Sequence, residues 1–335
     1  MMRLPRFAYL PASTTAEAAQ LLAEHPGAQL LGGGTDLFPK MKRGQLEPKV
    51  LVGLNRVSEL SGISVNGGAA IGAGTRLHEL AAAPEIVRRY PALARAASLV
   101  ASPQIRNAGT VGGNLCVDTR CNYYDLPYDR RCAHGFCLKT GNSDVCRLAP
   151  GGERCWAVSS TDLAPVAHVL GGSVQLVSAR EERTLPIARL YTMDDGIDYL
   201  QKQPDEVLTA LVLPPADGLR ATYVKFRRRG AIDFPLLGVA AAARTDPDGT
   251  CTEARLVLGA VATAPLPVPK AAEVLVGAAL TKESITAAAE TAMSATKPMD
   301  ALDLPLAYRR RMVKVHVARA LRELVPGSGP VLPAG

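Results

Sequence analysis

The chain has 335 residues, of which 47% are hydrophobic and 21% charged, with a formal net charge of +7 and seven cysteines. That length carries two or three domains with a substantial core, and no stretch approaches the roughly 20 apolar residues that span a bilayer. The basic residues are dispersed apart from Arg227–Arg229 and Arg309–Arg311, and five phenylalanines, nine tyrosines and one tryptophan offer little to stack bases on, which argues against nucleic acid.

The opening MMRLPRFAYLPASTT lacks the apolar core of a secretory signal. A cytoplasmic location is therefore expected, and in a reducing compartment an odd set of thiols reads as metal-binding rather than as a disulfide framework. Thr14 or Thr15 caps a helix through AEAAQLLAEH, which Pro26 and Gly27 end. AQLL then reads as a short strand, Gly32-Gly33-Gly34-Thr35-Asp36 as a turn, and the residues after it as a new helix. The turn lacks GxGxxG spacing, so this βαβ-like opening is not assigned as a Rossmann unit. Lys49–Leu54 reads as a buried strand and SVNGGAAIGAG as a hairpin around Asn66-Gly67-Gly68. Ile71–Leu77 echoes Leu31–Leu37 and is read as a repeated strand-to-helix turn rather than a second site. Helices follow in LHELAAAPEIVRRY and PALARAASLVA, broken at Pro84 and Pro91.

The stretch ASPQIRNAGTVGGNLC is rich in turn residues, with glycines beside Thr110 and Asn114. Glycines let backbone amides approach a ligand and cradle phosphate oxygens. Gly32–Asp36 and Gly109–Asn114, both expected at strand ends, together point to one ligand with two phosphates. Cys116 is expected in a strand after the second turn, facing inward. Cys121, Cys132, Cys137, Cys146 and Cys155 then sit among Gly, Pro, Asn, Asp and Arg, a segment with little apolar surface to bury. A metal would supply its cross-link, and thiolates suit tetrahedral zinc or an iron–sulfur cluster. The spacing does not say which cysteine is spare.

Further on, Ser160–Pro165 leads into a helical turn and a strand in AHVLGGSVQLVSA, and DEVLTALVLP and RATYVKFRRR alternate like strands. GVAAAARTDPDGTCTEARLVLGAVA reads as a hairpin turning at Asp246–Gly249, with Cys251 a core residue. Lys270–Pro326 is alanine-rich and helical, with a break near Pro298–Pro305, and the tail is too rich in glycine and proline to pack.

LLGGGTDL, ASPQIRNAGTVGGNL, STDLAP, DEVLTALVLP and YVKFRRRGAIDFP, in that order, resemble the FAD-binding medium subunits of the molybdenum hydroxylases, the xanthine dehydrogenase family, over nearly the whole chain. The resemblance implies an α+β fold: an FAD-binding region of two α+β subdomains, followed by a C-terminal domain with a small antiparallel sheet and a helical bundle. The expected boundaries are 1–57, 58–219 and 220–325, with a flexible tail at 326–335. Leu30, Leu31, Gly32, Gly33, Gly34, Thr35, Asp36 and Leu37, with Gly109, Thr110, Val111, Gly112, Gly113 and Asn114, would hold the FAD pyrophosphate. Val100, Ala101 and Ser102 would line the flavin, and Asp162, Leu208 and Lys225 would add further contacts.

The departure from the family pattern is Val117–Ser160, an insertion that resembles the one in β subunits of 4-hydroxybenzoyl-CoA reductases. That resemblance implies a 4Fe–4S cluster on Cys121, Cys137, Cys146 and Cys155, with Cys132 incidental. It implies no catalytic residue in this chain. A molybdopterin-binding large subunit and a small 2Fe–2S subunit would complete a dimer of heterotrimers. Electrons from ferredoxin would pass through 4Fe–4S and FAD to the partner centres, where 4-hydroxybenzoyl-CoA is dehydroxylated to benzoyl-CoA. The rival expectations are the FAD subunit of another molybdenum hydroxylase, oxidising an aromatic or heterocyclic substrate, and a zinc-stabilised nucleotide-binding module.

Overall fold

The computed structural model describes residues 3–325 and 327, so most of the expected flexible tail lies outside the described residues. Three sheets follow one another along the chain. The first is parallel, in the order β1 (Ala8–Pro11), β3 (Val50–Gly53), β2 (Gln29–Leu31), with α1 (Thr15–Glu24) and α2 (Leu37–Lys42) as connections. Thr14 caps α1 through its side chain, which accepts from the Glu17 amide, so the predicted start of that helix holds.

The second sheet has five strands in the order β4 (Ile63–Asn66), β5 (Gly68–Gly72), β8 (Val207–Leu213), β6 (Ser173–Val177), β7 (Glu182–Pro186). Between β5 and β6 lie α3 (Leu77–Ala82), α4 (Pro84–Arg89), α5 (Pro91–Ser98), α6 (Pro103–Ala108), α7 (Val111–Leu115), α8 (Tyr128–Ala133) and α9 (Leu163–Val169). The short α10 (Ile187–Leu190) follows β7. Pro84, Pro91 and Pro103 each open a helix, where the missing N–H is no loss.

The third sheet is antiparallel, in the order β12 (Leu266–Pro267), β11 (Cys251–Gly259), β10 (Leu237–Thr245), β9 (Arg220–Phe226), and is followed by α11 (Pro269–Glu273), α12 (Lys282–Ala295) and α13 (Leu306–Glu323). Strand β10 is apolar almost throughout because both its faces are covered. Ala240 and Ala242 belong to the core shared with α5 and α9, while Val239 and Ala241 belong to the core under α12 and α13. The C-terminal unit is thereby keyed into helices inserted between β5 and β6 of the second sheet.

The segment after α7 departs from the sequence expectation. Cys116 lies at the C-terminal end of a short helix, not in a strand, because the Thr110 hydroxyl accepts from the Gly113 amide and turns the chain helical. The second glycine turn correspondingly links α6 to α7 instead of ending a strand. The cysteine-rich insertion has a closed neck: Arg120 and Val158 exchange backbone hydrogen bonds of 2.8 Å each way. Its own core is small, built from Cys121, Tyr124, Cys137, Cys155 and Ala157. No helix among the described residues is long and apolar enough to cross a membrane.

Candidate cofactor sites

The two glycine turns meet. A Cβ on Gly33 would stand 1.9 Å from the carbonyl oxygen of Ala108, so the backbones of Gly33 and Ala108–Gly109 are in direct contact and no side chain fits between them. Gly34 has φ +69°, in the left-handed region that glycine adopts without penalty. The Arg76 guanidinium donates to the Ala108 carbonyl from the other side. The turn after β5 is a strand-to-helix turn, and it holds the second glycine loop: Leu77 N donates to Gly109 O, Val111 N to Thr75 O and Gly112 N to Ala73 O, at 2.9, 3.0 and 2.8 Å.

The loops differ in what they leave free. In the second, Gly109, Val111, Gly112, Gly113 and Asn114 all donate to acceptors within the chain. In the first, the amides of Gly33, Gly34, Thr35 and Asp36 have no partner among the described residues. Successive unpartnered amides at the end of a parallel strand form an anion cradle, which fits a pyrophosphate group. Asn114 is already engaged through its Oδ1, which accepts from the Thr161 hydroxyl at 2.9 Å and the Leu163 amide at 3.1 Å, fixing the start of α9.

Val100–Ser102 is clamped from several directions. Arg106 donates to Val100 O at 2.7 Å, Ile232 N to Ala101 O at 2.8 Å, and Lys225 and Arg227 both to Leu99 O at 3.0 Å. Ala101 and Ile232 are both left-handed, at φ 41° and 66°, conformations a side chain adopts only when its surroundings impose them. Asp162 and Lys225 pair with each other at 2.9 Å, and the Tyr223 hydroxyl donates to Asp162 at 2.8 Å. Burial pushes the Asp162 carboxyl up and the Lys225 ammonium down, each opposed by the other's charge. Leu208 lies in β8 with its side chain in the core.

Four cysteines converge. Cys121, Cys137, Cys146 and Cys155 are buried and line one cavity together with Tyr123, Tyr124, Leu138, Lys139, Arg147, Leu148 and Ala157. Cys132 is exposed on α8 and takes no part, and Cys251 is in the C-terminal core. Burial pushes the Cys121 thiol up to about 11 and the Cys155 thiol up to about 12. Among the described residues no three His, Cys, Asp or Glu side chains are gathered as ligands of a single metal ion. Four thiols lining one cavity are a soft donor set of the kind an iron–sulfur cluster uses.

The sequence reading missed the charges that join the two sites. Asp118 pairs with Lys40, which is 1% exposed on α2, and with Lys139 at 2.7 Å on the cysteine side. Burial would raise the Asp118 carboxyl, but Lys139 and Lys40 overcome it and hold it at about 2. Arg120, in the insertion, pairs with Asp36 of the first glycine turn and stacks over Phe234 at 4.1 Å, and its Nε is buried without a partner among the described residues. Asp125 extends the chain of contacts by accepting from the Cys121 amide at 3.2 Å. A signal was present: charged residues inside an apolar-poor insertion must find opposite charges when buried.

Comparison with known proteins places this geometry. Residues 5–216 match the family described as FAD binding domain in molybdopterin dehydrogenase, and residues 221–324 match the CO dehydrogenase flavoprotein C-terminal domain. The carbon monoxide dehydrogenase medium chain of Hydrogenophaga pseudoflava is 30% identical over 320 residues, covering 95% of this chain and 96% of that one. The aldehyde oxidoreductase FAD-binding subunit of Escherichia coli K12 is 33% identical over 268 residues, 77% of this chain and 82% of that one. Among solved structures, carbon monoxide dehydrogenase from Hydrogenophaga pseudoflava, in a form lacking the Mo-pyranopterin moiety, superposes with a TM-score of 0.77 at 30% identity, covering 96% of this chain and 97% of the other.

Proposed function

The chain belongs to the family of FAD-binding medium subunits of molybdenum hydroxylases, and from that premise we propose that it is the FAD and 4Fe–4S electron-transfer subunit of an enzyme of the 4-hydroxybenzoyl-CoA reductase type. In this reading residues 1–57 and 58–219 bind FAD and 220–325 form the C-terminal unit. Leu30–Leu37 and Gly109–Asn114 hold the pyrophosphate, Val100–Ser102 line the flavin, and Asp162, Leu208 and Lys225 add further FAD contacts. Cys121, Cys137, Cys146 and Cys155 hold the cluster. When bound, the two groups carry electrons between an external donor, ferredoxin by its low potential, and partner 2Fe–2S and molybdopterin centres.

The chain's own residues bind, orient and insulate. The free amides of Gly33–Asp36 receive the anionic pyrophosphate of the dinucleotide. The clamp on Leu99–Ala101 fixes the backbone beside the flavin position. The observation that carries the reading is the selection of cysteines: the four the resemblance names share one cavity, and Cys132 stays outside it. The Arg120–Asp36 and Lys40–Asp118 pairs tie that cavity's segment to the first glycine turn, so the proposed centres belong to one electrostatic unit.

A second reading, the FAD subunit of a complex that oxidises an aromatic or heterocyclic substrate, is favoured by the xanthine and nicotinate dehydrogenase subunits among the similar proteins. Anaerobic purification of the complex, followed by flavin and iron analysis and assays in both directions, separates the two. Bound FAD, about four irons on this chain and donor-driven dehydroxylation of 4-hydroxybenzoyl-CoA support the proposal. Iron with substrate oxidation alone supports the second reading. A colourless zinc protein ends both.

A further inference from the structure

One group of buried charges is left without a part in holding either cofactor. Lys139 borders the cysteine cavity, and its side chain is 6% exposed. Its Nζ donates to Asp118 Oδ1 at 2.7 Å, Thr119 Oγ1 at 2.8 Å and Gly196 O at 2.7 Å. Three acceptors match the three donors of an ammonium, so the charge is fixed at one point. The rings of Tyr124 and Tyr199 flank it, with centroids 5.1 and 5.5 Å away. Arg147 also borders the cavity, but its guanidinium is turned to the carbonyls of Phe136 and Gly135.

Asp118 faces both Lys40 and Lys139, and the neighbouring Arg120 is matched by Asp36 and Asp125, so the Lys139 charge is held in place within a paired cluster. The four thiolates of a bound iron–sulfur centre would add negative charge on the wall where Lys139 stands. We propose that Lys139, positioned by Asp118, sets the reduction potential of the cluster held by Cys121, Cys137, Cys146 and Cys155. The proposal rests on the iron–sulfur reading above. A fixed cation stabilises the state with one more electron and raises the potential, and the Asp118 carboxylate offsets part of that effect.

The test is an EPR-monitored redox titration of the cluster in the anaerobically purified complex, with iron measured in each sample. Wild-type protein is compared with Lys139→Gln, Lys139→Arg and Asp118→Asn. At the wild-type midpoint, Lys139→Gln should lower the reduced-to-oxidised ratio at least tenfold, which is a 59 mV fall for a one-electron couple. Lys139→Arg, which keeps the charge, should stay within about threefold of wild type by the same relation. Asp118→Asn should move the midpoint upward. Opposite shifts are not expected of two residues that only brace a loop. An unchanged midpoint in fully iron-loaded Lys139→Gln, or a shift of both variants in one direction, overturns the proposal. If Lys139→Gln loses its iron, a raised midpoint in Asp118→Asn supports the proposal and an unchanged or lowered one overturns it. Loss of iron from both variants makes the pair structural and also overturns it. Wild-type protein without iron would sink the iron–sulfur reading itself, and this inference with it.

Discussion

Serine at position 137 keeps the size of cysteine but replaces a soft thiolate with a hydroxyl that stays protonated, so it is a poor ligand for iron. Cys137→Ser should lose most of the iron, whereas Cys132→Ser, at an exposed position outside the cavity, should keep it. Iron analysis of the two variants checks this, and the reverse pattern would refute the ligand assignment. Asp118 makes a separate prediction in acid. Its carboxyl is held at about 2 against an ordinary 3.8, so its stabilisation is complete above the ordinary value and is lost as pH falls through about 2. At 1.36 kcal/mol per unit this is about 2 kcal/mol. Urea unfolding of the metal-free protein should show that loss between about pH 4 and 2, and Asp118→Asn should flatten it. Equal acid sensitivity in the two proteins would show that Asp118 contributes nothing. At this scale the cysteines were legible because their chemistry is local, but Lys40, Asp118 and Lys139 were not. They are 78 and 21 residues apart along the chain, and their significance arises only from meeting.

At the scale of elements, the sequence treated the insertion and the glycine turns as neighbours that act separately. The structure joins them, because Arg120 holds Asp36 and Asp118 holds Lys40 on the helix that follows the turn. Loosening the insertion should therefore weaken FAD. We expect Arg120→Gln, or removal of iron by a chelator, to raise the FAD dissociation constant about tenfold, within the range of ordinary coupling between sites. Flavin fluorescence on dilution measures it, and unchanged affinity in both cases would show that the pairs carry no coupling. Most elements were readable from punctuation: Thr14 before α1, prolines opening α4 and α5, and Asp246–Gly249 between β10 and β11. Cys116 was not, since Val111–Leu115 is built of turn residues with no helical periodicity and becomes helical through the Thr110 cap.

For the whole molecule, the proposed relay role requires docking to other subunits that supply the substrate site. We predict co-purification with a molybdopterin-binding large subunit and a small 2Fe–2S subunit, as a dimer of heterotrimers, and no substrate turnover by the isolated chain. Mass analysis of the complex and assay of the separated chain test this, and full activity from the chain alone would contradict it. The broad architecture was legible because its motifs run in order along nearly the full length, whereas the interlocking of the units through β10 depends on packing on both faces of one strand. The Lys40–Asp118 pair also has a consequence in time. Its partners are 78 residues apart, and at ~5–20 residues per second a ribosome needs roughly 4–16 s to cover that distance. For that interval the first glycine turn has emerged without Asp118 or Arg120 to hold it. Capture of the dinucleotide during synthesis is therefore weaker until the insertion has emerged, and a pause in translation before Asp118 would lengthen that interval.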